Sequence, residues 1–171
     1  MDHQPTLTLK PKRRMTINSL FYLLIAVVIL YGCIRLAIGI VSKNKVATGF
    51  DADTATLNDC AYKENCHSSI DKNSENRVEP ISFNGERQQA IATAAAILQS
   101  ETKANIVSQT PMYLHATFKT AIMGYIDDVE FLLDDSSNKL HVRSASRLGI
   151  KDLGANKKRI KLLRDLMADK L

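Results

Sequence analysis

Hydrophobic and polar positions divide the chain into an apolar run, a patternless stretch and a periodic remainder. Residues 17–41 read INSLFYLLIAVVILYGCIRLAIGIV, with no charge between Leu20 and Ile34. A helix crossing ~30 Å of hydrocarbon needs about 20 apolar residues, and this run supplies them if Arg35 extends its guanidinium to the interface. A soluble helix of this length carries a wet stripe, and Leu20 to Leu30 has none. The run therefore predicts one membrane-spanning anchor. From Ser42 to Leu57 small and polar residues follow neither period, which predicts a tether. The folded domain is then expected over residues 58–171, long enough for one modest core.

Within that domain, NGERQQAIATAAAILQS over residues 84–100 predicts a helix capped by Asn84, with Glu86 near the positive end of its dipole. Its stripe is Ala90, Ile91, Ala94, Ala95, Ile97 and Leu98. From Asn105 the period becomes two. Met112, Leu114, Ala116 and Phe118 alternate with Tyr113, His115, Thr117 and Lys119; Val129, Phe131 and Leu133 alternate with Asp128 and Glu130; Leu140 and Val142 alternate with His141 and Arg143. DDSSN over residues 134–138 is a hairpin turn. Residues 105–110 predict a weaker strand and residues 78–83 an edge strand. After the loop LGIKDLGAN comes a terminal helix over residues 156–170, with Ile160, Leu163 and Met167 on its apolar face and Leu162 and Leu166 beside them. The order predicts an α+β fold: an antiparallel sheet of about four strands, helices on one face, the other face open.

Parity sets the hairpin register. A one-residue slip turns a strand inside out, so keeping Val129, Phe131 and Leu133 on the same face as Leu140 and Val142 allows registers of one parity only, and the one that centres the turn on Ser136 and Ser137 places Phe131 opposite Val142 and Glu130 opposite Arg143. The same parity brings His115 to Glu130, directly or on a diagonal. His115, Glu130 and Arg143 then form a row across three strands, with Asp128 and Thr117 alongside.

The chain has 171 residues and a net charge of +5, which bounds it to one domain and permits contact with anionic lipid. Lys10, Lys12, Arg13 and Arg14 outweigh Lys43 and Lys45, which Asp51 and Asp53 soon follow. The heavier basic flank stays in the cytoplasm, so residues 1–16 are a cytoplasmic tail and the domain lies outside; in a bacterium this means a single-pass inner-membrane protein with a periplasmic domain. The rival reading of Leu30-Tyr31-Gly32-Cys33 is a lipobox, with Cys33 acylated. Cys60 and Cys66 then face an oxidising compartment, which favours a disulfide; a metal site sharing His67, or free thiols in a cytosolic domain, are the alternatives. No metal and no cofactor is expected.

Two constellations carry candidate chemistry. His115 and Glu130 beside Arg143 are acid/base equipment, weighed against a solvated cross-strand ion pair. Arg143, Arg147, Asp152, Asn156 and Arg159, with Asp128 nearby, suggest an anion site around a strand-to-helix connection. The rival reading has Asp152 pinning Arg147 and Asn156 capping the helix. No Gly-x-Ser-x-Gly, His-Glu-x-x-His or phosphate-cradling glycine loop occurs. Lys157, Lys158, Arg159, Lys161 and Arg164 lack interleaved aromatics and read as a solvated face, so no nucleic-acid partner is expected.

Residues 58 to the end resemble the bacterial and plastid domain of unknown function 1499 family. The resemblance rests on Cys60-Ala61-Tyr62-Lys63-Glu64-Asn65-Cys66-His67-Ser68-Ser69, a C-x5-C segment ending in N-C-x-S-S, and on Arg77-Val78-Glu79-Pro80-Ile81, Tyr113-Leu114-His115-Ala116 and Asp127-Asp128-Val129-Glu130-Phe131. Most specific is Val142-Arg143-Ser144-Ala145-Ser146-Arg147, followed by Gly149, Asp152-Leu153-Gly154, Asn156 and Arg159. Ala61 and Glu64 stand where the family often has Pro. The resemblance implies no activity. Together these readings favour a membrane-anchored domain that binds a small anionic ligand, lipid headgroup or envelope protein without turnover. The alternatives are a periplasmic hydrolase or isomerase using His115 and Glu130, and an interaction module of an envelope assembly.

Overall fold

The computed structural model describes residues 16–45, 49–61, 63–101, 104–168 and 170–171. The basic flank of Lys10, Lys12, Arg13 and Arg14 lies outside the described residues. The chain divides into two compact units, one ending at Arg35 and the other beginning at Leu36. Helix α1, Ile17–Asn44, starts in the first unit and ends in the second. Its 28 residues rise about 1.5 Å each, enough for a hydrocarbon core ~30 Å thick. Thr16 Oγ1 accepts the Ser19 N–H at 3.2 Å, capping the first turn, and Lys43 sits in the last turn near the negative end of the dipole. Among the described residues α1 is the one helix long and apolar enough to cross a membrane, a property shared by anchors and signal sequences. Cys33 is exposed and unbridged.

The second unit holds strands β1 (Phe50–Asp51), β2 (Thr56–Leu57), β3 (Cys66–Ser68), β4 (Ile81–Ser82), β5 (Asn105–Gln109), β6 (Tyr113–Lys119), β7 (Ile126–Leu133) and β8 (Lys139–Ser146), with helices α2 (Arg87–Glu101) and α3 (Ala155–Met167). Six strands form an antiparallel sheet ordered β3-β8-β7-β6-β5, with β4 also on β8. The register expected from parity is observed residue for residue: Glu130 faces Arg143, Phe131 faces Val142 and His115 faces Glu130. The sheet has more strands than the four expected. β4 falls where the edge strand was expected, but it and β3 have two and three residues, too few for a period-two signal.

One face of the sheet buries Leu114, Val129, Phe131, Leu140 and Val142 against Ala90, Ile91, Ala94 and Leu98 of α2 and Ile160, Leu163 and Met167 of α3. Small residues on α2 let the helix lie close to the sheet. Leu162, read as part of the α3 stripe, is instead 53% exposed. α2 starts three residues beyond Asn84, and the N–H groups of Asn84 and Gly85 are taken by the Leu171 carbonyl at 3.2 and 2.7 Å. A Cβ at Gly85 would stand 2.8 Å from that oxygen, so a larger residue there would push the Leu171 backbone away. Arg87 in the first turn of α2 donates to the carbonyls of Asp134, Asp135 and Ser137, holding the β7–β8 turn. Asp134 Oδ1 closes that turn by accepting the N–H groups of Ser136 and Ser137, which holds its carboxyl far below the usual range.

The other face, expected open, is closed. Its row is buried: Glu130 is 1% exposed, Asp128 3%, Arg143 7% and His115 8%. The cover comes from the stretch expected as a tether. β1 and β2 pair as a hairpin, with Asp51 Oδ1 accepting the N–H groups of Asp53 and Thr54 in the turn. Phe50 stacks on Tyr113 with ring centroids 4.2 Å apart, Leu57 is buried, and Ser42 is fully buried. Two-residue strands around a polar turn leave no periodic signature, which is why the sequence reads as structureless there.

The disulfide joins Cys60 to Cys66 and packs on Ala145 of β8. Asp71 Oδ2 takes the Cys60 N–H at 2.6 Å, tying the loop to the strand β3 region. With both thiolates bonded to each other, a metal site with His67 loses its ligands. Because the closed loop is short, converting both cysteines to alanine is expected to lower stability by about 2 kcal/mol in urea unfolding. An unchanged midpoint would show that the loop holds without the bridge.

Candidate functional site

Strands β6, β7 and β8 present two charge networks, one on each face of the sheet. On the covered face the Glu130 carboxylate accepts the Tyr113 hydroxyl at 2.8 Å and Arg143 Nη1 at 3.1 Å. Burial first, and the Glu130 charge second, push the Tyr113 phenol far up, so it stays a donor at physiological pH. A Cβ at Gly49 would overlap the Glu130 carboxylate, so only glycine brings the cover this close. Arg143 Nε has no acceptor among the described residues.

His115 does not pair with Glu130, its cross-strand neighbour. Its Nε2 meets Asp128 Oδ1 at 2.7 Å, one diagonal step along β7, and because a carboxylate only accepts, that nitrogen carries the proton. Asp128 also receives a two-pronged fork from Arg147, Nε to Oδ2 at 2.8 Å and Nη2 to Oδ1 at 2.7 Å. Burial works to raise the Asp128 carboxyl, but hydrogen bonds from His115 and Arg147 outweigh it and leave the pKa lowered. Those bonds in turn raise Arg147. The remaining Arg147 nitrogen, Nη1, donates to the carbonyls of Ser42, Lys43 and Lys45 at 3.4, 3.5 and 3.0 Å, while Ser42 Oγ accepts the Ile126 N–H at 2.9 Å. The proposed dyad of His115 and Glu130 is thus divided between two carboxylate clusters.

On the helix face, Arg159 donates Nη2 to Asp127 at 2.6 Å and Nη1 to Ser144 Oγ at 3.1 Å, and it also bonds Asn156 Oδ1. Its guanidinium lies 4.8 Å from the Phe118 ring centre. Asn156 is fully buried: its Nδ2 donates to the Asn65 carbonyl and Ser146 Oγ, and its Oδ1 accepts Ser144 Oγ. It does not cap α3. Asp152 does that work, accepting the N–H groups of Gly154 at 2.9 Å and Asn156 at 2.7 Å. Nor does Asp152 pair with Arg147.

The six residues read as an anion site therefore fall into three places. Arg143, Arg147 and Asp128 lie under the hairpin cover, Asn156 and Arg159 lie between sheet and α3, and Asp152 lies in the β8–α3 loop. Each charged group bonds a protein partner, which suits structural work more than exchange with a ligand. No group of three His, Cys, Asp or Glu among the described residues is placed to hold a metal ion.

Two concavities that sequence reasoning did not foresee flank residues 153–155. An apolar groove of about 440 Å³ lies between the β6–β7 and β8–α3 loops, lined by Ala121, Ile122, Met123, Leu148, Leu153 and Ala155 among others. A basic groove of about 560 Å³ runs between residues 77–79 and α3, lined by Arg77, Gly154, Lys157, Lys158, Lys161 and Arg164 among others. The lysines were visible in the sequence, but only the fold brings Arg77 to them.

The family model described as a protein of unknown function, DUF1499, matches residues 56–167, more than half of the 171-residue chain. The chain belongs to the DUF1499 family. The DUF1499 region contains both charge networks, the disulfide and the two grooves; Gly49, Phe50 and the Ser42–Lys45 carbonyls lie before it. Arg147 thus reaches from inside the family region to residues outside it. No curated protein and no solved structure matches the chain.

Proposed function

We propose that this DUF1499 chain is anchored in the inner membrane through residues 17–41, holds its domain in the periplasm, and binds a small anionic ligand there without turning it over. The anchor reading is supported by the length and apolar surface of α1 and by the basic residues ahead of it. The oxidised Cys60–Cys66 pair suits an oxidising compartment.

The basic groove carries the binding reading. Arg164 is held by the Glu79 carbonyl and Lys161 by Asp165, whereas Arg77, Lys157 and Lys158 have no ion-pair partner among the described residues. Unpaired cations around one concavity attract a phosphate or carboxylate, while the buried arginines are already committed to Asp128, Glu130 and Asp127. The test is thermal unfolding of the full chain in detergent with glycerol phosphate, against chloride at equal ionic strength. A ligand at one hundred times its Kd adds about 2.7 kcal/mol to stability. The expected result is a phosphate-dependent rise in Tm that Lys157→Gln/Lys158→Gln removes without changing the ligand-free Tm. An equal rise with chloride would sink the proposal.

A further inference from the structure

We infer that the apolar groove between the β6–β7 and β8–α3 loops takes the acyl chain of a lipid from the bilayer that holds residues 17–41; this rests on the anchor reading above. The groove, about 440 Å³, is of the size that small ligands occupy, and its walls are mostly hydrocarbon. Around it the surface is unusually greasy. Among the described residues beyond α1, the exposed large hydrophobic ones are Val107, Ile122, Ile150, Leu153 and Leu162, and three of these five lie on the two groove loops. Ile122 is 72% exposed, Ile150 74% and Leu153 93%. Three large apolar side chains held out on neighbouring loops mark a surface that leaves water for another apolar phase.

Leu153 adds an independent sign. Its φ of 55° is left-handed, a region that disfavours a bulky side chain, and glycines at 149 and 154 flank it with φ of 90° and 77°. A turn that glycine would fill without strain instead displays leucine to solvent, and strained residues of this kind persist where function uses them.

Position selects a bilayer lipid over a free apolar molecule. The apolar run of α1 ends at Val41, and the next residue, Ser42, accepts the N–H of Ile126, which directly follows the β6–β7 loop. Arg147, from which the β8–α3 loop departs, holds the Ser42, Lys43 and Lys45 carbonyls. Both groove loops therefore leave from residues bonded to the chain where it exits the apolar run. The charges fit as well: Lys43 and Lys45 are exposed at the end of α1, while Lys151 in the groove wall is paired with Glu64 at 3.0 Å. Ammonium groups beside an apolar slot match an anionic headgroup above an acyl chain.

The chain contains no tryptophan, so a single introduced one reports its own surroundings. Full-length Leu153→Trp, Asp135→Trp and Val28→Trp variants would be reconstituted into phosphatidylethanolamine–phosphatidylglycerol vesicles with plain or brominated acyl chains. Residue 135 lies in the β7–β8 turn, at the other end of the strands. The expected result is at least a twofold loss of indole emission in brominated vesicles for Leu153→Trp and Val28→Trp, with the emission of Asp135→Trp unchanged. Quenching in Val28→Trp while Leu153→Trp stays as bright as Asp135→Trp overturns the lipid proposal and leaves the anchor standing. Unquenched emission from Val28→Trp overturns both. Should Leu153→Trp lose its circular dichroism signal, Ile150→Trp in the same loop takes its place with the same outcomes.

Discussion

Replacing Glu130 with alanine is expected to lower folding stability by about 3–5 kcal/mol, read as a fall in the urea midpoint with the slope unchanged. The size follows from what is left behind. Arg143 would stay buried with its only described carboxylate partner gone, and the Tyr113 hydroxyl would lose its acceptor under the Phe50 ring. Stripping one member from a buried ion pair costs far more than the pair contributes on a surface. Gly49→Ala should act on the same spot from the other side, because its new methyl would meet a carboxylate that Arg143 and Tyr113 prevent from swinging away. A loss below about 1 kcal/mol in Glu130→Ala would mean that water reaches this row and that the hairpin does not seal it.

Asp128→Asn is expected to cost a comparable amount, about 3–5 kcal/mol, and also to change how stability depends on pH. The neutral amide leaves Arg147 without its counter-charge and presents an N–H₂ to one of two donors that both need acceptors. The folded-state pKa of Asp128 is depressed, so the unfolded chain binds the proton more tightly. Its contribution is therefore fully present above the unfolded value of about 3.9 and is lost as pH falls through the folded value. Urea midpoints measured from pH 7 down to pH 3 should fall more steeply in the wild type than in Asp128→Asn. Parallel curves would show that this carboxylate does not link folding to protons. Such a variant also tests the link to α1: with Arg147 released from Asp128, the carbonyls of Ser42, Lys43 and Lys45 share a guanidinium no longer locked in place.

The two networks show where reading from residues succeeds and where it stops. Glu130 opposite Arg143 was legible because strand parity is a local property: alternation of Val129, Phe131 and Leu133 with their polar neighbours allows only registers of one parity. The choice of Asp128 over Glu130 by His115 was not, since both lie within reach of the same side chain and only rotamers and competing donors separate them. Neither the anion-site reading of Asp152 nor its rival as a partner for Arg147 anticipates that a carboxylate two residues before Gly154 caps α3, which depends on the left-handed turn between them. The candidate anion-site residues divide between the two faces of the sheet and the β8–α3 loop, a division that depends on which face each charge lies on, because adjacent positions on a strand face opposite sides. Asp127 with Arg159 and Asp128 with Arg147 are the clearest instance.

By itself the sequence determined the apolar helix, the α+β order, the pairing of β6, β7 and β8, and the family, because each is written in short-range periodicity or in contiguous motifs. Only the tertiary structure decided that the second face of the sheet is covered, that the candidate site charges are spent on one another, and that two grooves flank residues 153–155. The physical reason is separation along the chain. The cover brings Gly49 to Glu130, the clamp brings Ser42 to Arg147 and the basic groove brings Arg77 to Lys157, and contacts between such distant positions leave no period for a local pattern to reveal.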